Sequence, residues 1–330
     1  MQISTLADGL RLISLRNLSD ETLKEILGFL ARLSTPGGDD ALGEEQLLAL
    51  TGAPGTLALA LLVRDGDDAL AGYGQLLARD GGWHGECVAS PQWRTNVVTA
   101  LAAAIVAAVG EGGGGRLELW VRRAGDGGEE LLEALHGAPA RRLDVLRRPL
   151  PLPHSVPPVP TRPFVVGVDE AAWLEVNRRA FVALPDQGHW DLPALTARER
   201  LSWFDPDGFL LHEEDGRLAG FCWTKLHRHG DAAPVGEIYV IGVDPAFQRR
   251  GLGRALLQAG CDYLYGAGAR SVMLYVDGAN AAAQSLYWSA GFTLDHEDRC
   301  YELTVEPAGS GQRPDVPPAA PEGLAAGAAP

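Results

Sequence analysis

The sequence predicts an α/β (α+β) protein of two tandem domains, each a mixed, mostly antiparallel sheet flanked by helices. Three observations predict it. One order of strands and helices occurs twice along the 330 residues, a length that exceeds one ordinary core. The copies are separated by LPLPHSVPPVPTRP at 150 to 163, where proline removes backbone donors and blocks both helix and central strand. Within the second copy, antiparallel hairpins are combined with two strand-to-helix units. The expected division is 1–150, a semi-rigid linker at 151–163, 164–305, and a tail at 306–330.

The elements follow in order. Leu70-Ala71-Gly72-Tyr73 follows an acidic turn, and Leu218-Ala219-Gly220-Phe221 follows Glu213-Glu214-Asp215-Gly216; each reads as a hairpin crossing into its next strand. Gly85-Glu86-Cys87-Val88 corresponds to Gly236-Glu237-Ile238-Tyr239, and Arg116 to Val121 corresponds to Ser271 to Val276. The offsets stay near 150 residues, which indicates duplication. In the second copy the pattern predicts a strand at 164–168, helices at 170–184 and 191–203, and a hairpin at 208–228. A strand at 236–243, a helix at 251–267, a strand at 271–276, a helix at 281–290 and a strand at 299–305 complete it. This is not a doubly wound dinucleotide order. After Val305 there is neither an aromatic residue nor hydrophobic periodicity, so the tail is expected to be disordered.

Composition narrows the function. A formal net charge of -15 argues against general nucleic-acid binding, which needs clustered Lys and Arg. Cys87, Cys222, Cys261 and Cys300 are far apart, with no C-x-x-C pair, so buried free thiols and no metal are expected. The N-terminus lacks the basic and apolar regions of a signal peptide, and no run of about twenty apolar residues occurs. The expectation is a cytoplasmic monomer with no membrane or nucleic-acid partner.

The most informative segment lies between the strand ending at Asp244-Pro245 and the helix starting near Gly251. A helix N-terminus offers unpaired N–H groups and a favourable dipole for an anion. Gly251 and Gly253 let a phosphate approach without a Cβ in the way, and Arg249, Arg250 and Arg254 add positive charge. There is no G-K-[ST] and no third glycine at dinucleotide spacing, so this is neither a P-loop nor a Rossmann fingerprint.

The loop Gln248-Arg249-Arg250-Gly251-Leu252-Gly253, a Q-x-x-G-x-G after a V-D-P strand end, resembles the signature of the GCN5-related N-acetyltransferase superfamily. The segment from Asp277 through Asn280 and Leu286-Tyr287 to Ala290-Gly291-Phe292 resembles that superfamily's second cofactor segment. The resemblance implies acetyl-CoA as co-substrate, its pyrophosphate on Gln248 to Arg254, its pantetheine amide on Asn280, and the backbone N–H groups of Ile241, Gly242 or Val243 as oxyanion donors at a strand bulge. Asn280 can also simply cap the following helix. Tyr287, two helical turns beyond Asn280 on the same face, can sit at the sulfur as an acid or be a partly buried core tyrosine. Glu237, at the start of the strand that leads to the clamp, is placed as the base.

The phrases LRRPL, LPDQGHW, WFDPDGF, FCWTK and GEIYVIGVDPAFQRRGLGRAL, in order, extend the resemblance to the tandem acetyltransferases of mycothiol biosynthesis over nearly all of 1 to 305. It implies a small-molecule amine, cysteinyl-glucosaminyl-inositol, bound by Glu45, Asp186, Lys225, Glu237 and Tyr275. Asp186 stands where the family usually has glutamate. The first half departs further: Ser90-Pro91-Gln92-Trp93-Arg94-Thr95-Asn96-Val97-Val98 replaces a glycine-bearing loop, and the segment after Val121 lacks the Asn and Tyr pair. A degenerate first domain without chemistry, walling the cleft and no longer binding coenzyme A, is therefore expected. An acetyltransferase for another amine (aminoglycoside, polyamine or protein) and a coenzyme A-binding sensor remain the alternatives.

Overall fold

The computed structural model describes residues 2–34, 40–52, 56–79, 81–123, 137–154, 156–182, 184–228 and 233–308. The first half runs β1 (Gln2–Thr5), β2 (Arg11–Leu15), α1 (Asp20–Leu33), α2 (Glu44–Leu50), β3 (Thr56–Arg64), β4 (Leu70–Arg79), β5 (Gly82–Ala89), α3 (Arg94–Glu111), β6 (Gly115–Val121) and β7 (Ala138–Pro149). The second runs β8 (Arg162–Pro163), α4 (Glu170–Ala180), α5 (Pro185–Gly188), α6 (Leu192–Glu199), β9 (Phe209–Glu214), β10 (Arg217–His227) and β11 (Val235–Val243). It ends with α7 (Leu252–Gly266), β12 (Ser271–Asp277), α8 (Ala281–Ser289) and β13 (Thr293–Val305).

Local sequence explains the element ends. Ser19 accepts the Thr22 N–H and caps α1, which buries Ile26, Phe29 and Leu30 at helical spacing. In α3, Val97, Leu101, Ala102, Ile105 and Val109 are buried in the core of the first half. Pro91–Glu111 is also long and apolar enough to cross a membrane by length and composition alone. The predicted strand at 164–168 is shorter and earlier in the structure: the Asp169 carboxylate accepts the Val165 N–H at 2.7 Å and pairs with Arg162, turning the chain away after Phe164.

Among the described residues thirteen strands form one sheet in the order β1-β2-β3-β4-β5-β6-β13-β7-β12-β11-β10-β9-β8. β13 lies between β6 and β7, from Arg299 opposite Val121 to Val305 opposite Gly115 on one side. β7, from the first half, pairs antiparallel with β12, Ser271 opposite Pro149. Each half thus gives its last strand to the seam with the other. Pairing with β7 carries β13 back to Thr293, well before the predicted start at 299, where pairing with β6 begins. Each half has two main cores, one on each face of the sheet, and one of the second half's is a cluster that includes Trp173, Phe209, Phe221 and Trp223.

The proline-rich segment packs along the second half: Leu150 N–H donates to Arg270 O at 2.9 Å, and Leu150 and Leu152 join the core of α7 and α8. All four cysteines are buried free thiols. Beyond β13, Ala308 N–H donates to Gly110 O at 2.8 Å, and 309–330 lie outside the described residues.

Candidate active site

The site forms where β11 leaves β12. The two strands pair in parallel only from Val235 opposite Ser271 to Ile238 opposite Leu274. On its other edge β11 stays paired with β10, but the register shifts so that Trp223 faces Val240 and Thr224 faces Ile238. The extra residue is Tyr239. The bulge expected around Gly242 is therefore three residues earlier, and Gly242 pairs regularly with Phe221, where a Cβ would meet Phe221 Cζ at 2.8 Å. Beyond Ile238, β11 has no β12 neighbour, so Ile241, Gly242 and Val243 border the opening on that edge.

A cavity of ≈ 240 Å³ lies at this fork, lined by both halves, with Lys225, His227, Glu237, Tyr239 and Tyr275 from the second and Asp40, Glu44 and Arg122 from the first. Glu237 is only 5% exposed, and its Oε2 accepts from His227 Nε2 at 2.6 Å. Burial alone would raise the Glu237 pKa, but the His227 hydrogen bond and the neighbouring Lys225, His227 and Arg122 outweigh it and hold the carboxyl below its ordinary value. Lys225 faces Glu237 across the β10–β11 pair. Burial would lower the Lys225 pKa, yet Glu237, Asp40 and Glu44 raise it, so the ammonium stays charged. Its Nζ lies 3.4 Å from Asp40 and 5.0 Å from the Trp203 ring centre.

At the other end of β11, Pro245–Phe247 forms a 3-10 turn and α7 starts at Leu252. Asp244 fixes this turn, accepting the Ala246 N–H at 2.9 Å and pairing with Arg179. Between turn and helix, Arg249 and Gly251 take left-handed φ values of 62° and 85°. A Cβ on Gly253 would meet only Leu286 Cδ2, at 3.6 Å, an ordinary contact. Protein packing does not require glycine there, whereas a phosphate at the helix end would. Gln248 Nε2 donates to Val243 O at 3.1 Å, Arg250 Nη1 lies 3.3 Å from Glu214, and Arg254 donates to Ser289 Oγ on α8.

Asn280 caps α8, its Oδ1 accepting the Ala283 N–H at 3.1 Å. Tyr287 is buried in the core with Cys222 and Leu256 and packs on Phe292, ring centres 5.8 Å apart. Burial pushes its hydroxyl pKa well up, so it keeps its proton.

Of the residues expected on the amine, Lys225, Glu237 and Tyr275 meet in the cavity. The Asp186 side chain lies outside the described residues. Glu45 is not brought there: its side chain is 57% exposed and pairs with Arg79. The neighbouring Glu44 takes the cavity position, its Oε2 accepting from Arg198 Nε at 3.0 Å and from the Tyr239 hydroxyl, its Oε1 3.8 Å from Lys225 Nζ. Successive helix positions differ by about 100°, so the α2 face holding Gln46, Ala49 and Leu50 against the first half turns Glu44 toward the second. His227 and Arg122 were also missed. His227 could have been found two residues after Lys225 on the same strand face.

The Acetyltransferase (GNAT) family model matches residues 172–292. The chain is 41% identical over 298 residues to the mycothiol acetyltransferase of Acidimicrobium ferrooxidans, covering 87% of this chain and 96% of that one. It is 42% identical over 274 residues to the mycothiol acetyltransferase of Thermobispora bispora, covering 81% and 91%. Among solved structures, a tandem GNAT protein from the clavulanic acid biosynthesis pathway matches with a TM-score of 0.65 at 16% identity over 91% of this chain and 99% of that one. A GCN5-related N-acetyltransferase from Sphaerobacter thermophilus matches with a TM-score of 0.64 at 23% identity over 92% and 98%. The structural likenesses speak for the fold, and the sequence relatives decide the family: the chain belongs to the mycothiol acetyltransferases and is an acyl-CoA-dependent N-acetyltransferase of the GNAT fold.

Proposed function

We propose that the chain acetylates the cysteinyl amine of cysteinyl-glucosaminyl-inositol, using acetyl-CoA held by the second half. The observation that carries this reading is the position of Glu237, buried beside His227 and Lys225 in the cavity, on the same strand that ends at the anion-binding loop. Gln248, the arginines at 249, 250 and 254, and the open backbone at Gly251 to Gly253 suit a pyrophosphate, and Asn280 suits an amide of the arm. When bound, acetyl-CoA supplies an activated acyl carbon.

The chain's own groups do the rest. Glu237, ionised below the ordinary carboxylate range, takes the proton from the substrate ammonium, directly or through water, and His227 fixes the carboxylate orientation. The N–H groups of Ile241, Gly242 or Val243 donate to the developing oxyanion without reorganising. Tyr287, whose proton is held by burial, serves the departing sulfur. Lys225, Tyr275 and Glu44 present donors and acceptors that suit a polyhydroxylated, cationic substrate. The first half walls the cleft and carries no chemistry.

Mass-spectrometric detection of the acetylated product from purified enzyme, acetyl-CoA and cysteinyl-glucosaminyl-inositol tests the reading. Preference for an aminoglycoside, a polyamine or a protein amine would refute the substrate, and absence of transfer to any amine would refute the activity.

A further inference from the structure

Arg122 stands just past β6 and lines the cavity that holds Glu237 and Lys225. Its guanidinium is held from two sides. Nε donates to Glu86 Oε1 at 2.8 Å and Nη1 to Asp298 Oδ2 at 2.9 Å. Both carboxylates are deeply buried, Glu86 at 3% and Asp298 at 1% exposure. Glu86 is itself held, because its Oε1 also accepts the Gly43 N–H at 2.9 Å, and Arg123 N–H donates to Asp298 at 2.9 Å. The outer nitrogen, Nη2, has no hydrogen-bond acceptor among the described residues. The Arg122 guanidinium carbon lies 5.9 Å from the centre of the Tyr275 ring, which the acetyl-transfer reading assigns to the substrate wall.

The internal duplication gives this arrangement its meaning. Glu86 is the first half's counterpart of Glu237, since Gly85-Glu86 corresponds to Gly236-Glu237. In the second half that carboxylate lines the cavity beside His227. In the first half it turns to an arginine and holds it still. A guanidinium already neutralised by two carboxylates offers directed donors without net attraction for an anion, and Asp40, Glu44 and Glu237 around the same cavity would repel one.

We propose that Arg122 is a substrate-binding residue whose Nη2 donates to an uncharged acceptor oxygen, a hydroxyl or amide carbonyl, of the amine substrate, and that Glu86 is its positioning residue. The inference rests on the acetyl-transfer reading and deepens it, because it gives the first half a direct part in recognition.

The test is steady-state kinetics with cysteinyl-glucosaminyl-inositol and acetyl-CoA for wild type, Arg122→Lys and the double variant Arg122→Met/Glu86→Gln. The double variant removes the charge of Glu86 together with that of Arg122, and Asp298 keeps the Arg123 N–H and His296 as partners. The lysine variant keeps a cation between the carboxylates but loses the planar fork. Both are expected to raise the amine KM about tenfold or more, equivalent to about 1.4 kcal/mol, with kcat within about threefold and the acetyl-CoA KM unchanged. An unchanged amine KM in a double variant that melts like wild type would overturn the role of Arg122. So would parallel losses in kcat and acetyl-CoA affinity, which mark a purely structural part. Wild-type turnover is the control: its absence overturns the acetyl-transfer reading and this inference with it.

Discussion

At the ends of β5 and β11 the chain makes one move twice, from strand through a proline-led 3-10 turn into a long helix, with opposite consequences. After Pro91–Trp93, α3 begins at once at Arg94. After Pro245–Phe247, the residues Gln248 to Gly251 intervene before α7. Those residues include both left-handed positions, and they leave the helix end open. Both helices pack their first turns on the sheet alike, Val97 against Gly72 and Leu256 against Gly220, with both side chains fully buried. The loop before the helix is what distinguishes the two N-termini, and on the proposed reading it decides which one takes a pyrophosphate.

The strand exchange sets the largest expected effect. Residues 150–308 expressed alone lose β7, the antiparallel partner of β12 and one of the two partners of β13, and also β6, the other. Calorimetry of that fragment should show no cooperative transition, and full coenzyme A affinity in it would break the account of the seam.

Glu237→Gln should come next, lowering kcat about 10²–10³-fold with coenzyme A affinity nearly unchanged, whereas Glu86→Gln should act mainly on the amine KM. Because the Glu237 pKa is lowered on folding, its ionisation contributes stability that is present above the ordinary carboxylate pKa and is lost as pH falls through its lowered folded value. Melting temperature against pH should thus flatten in that acid window in Glu237→Gln, and an unchanged profile would count against the assigned environment.

A smaller effect separates the two turns directly. Gly253→Ala adds a methyl that the protein accommodates, so a loss of coenzyme A affinity of about tenfold, about 1.4 kcal/mol, reports the ligand alone. Asn96→Ala, near the start of α3, should leave that affinity unchanged. The smallest effect concerns Asn280: Asn280→Ala should cost about 1 kcal/mol of stability through the lost cap. Asn280→Asp, which keeps the capping oxygen but not the amide donor, should restore stability and leave coenzyme A binding weakened. Restoration of both would reduce Asn280 to a cap.

Legibility in the sequence followed from how locally each feature is determined. The loop at 248–251 and the helix that carries Tyr287 behind the Asn280 cap could be placed because glycine, proline and helical periodicity act within a few residues. The exchange of β7 and β13 could not, because a strand pattern specifies which face is buried and not which neighbour pairs with it. Glu44 and Glu45 are adjacent and chemically identical, and only the packing of α2 between the halves tells them apart. Arg122 reads as a surface arginine at a strand end until Glu86 and Asp298, 36 residues before it and 176 after, are brought to it.

The central claim, one working cofactor site per chain, is tested most directly by calorimetric titration of coenzyme A into the full chain. The account predicts a stoichiometry of one, with affinity weakened by Gly253→Ala. A stoichiometry of two, or binding untouched by that change, would contradict it.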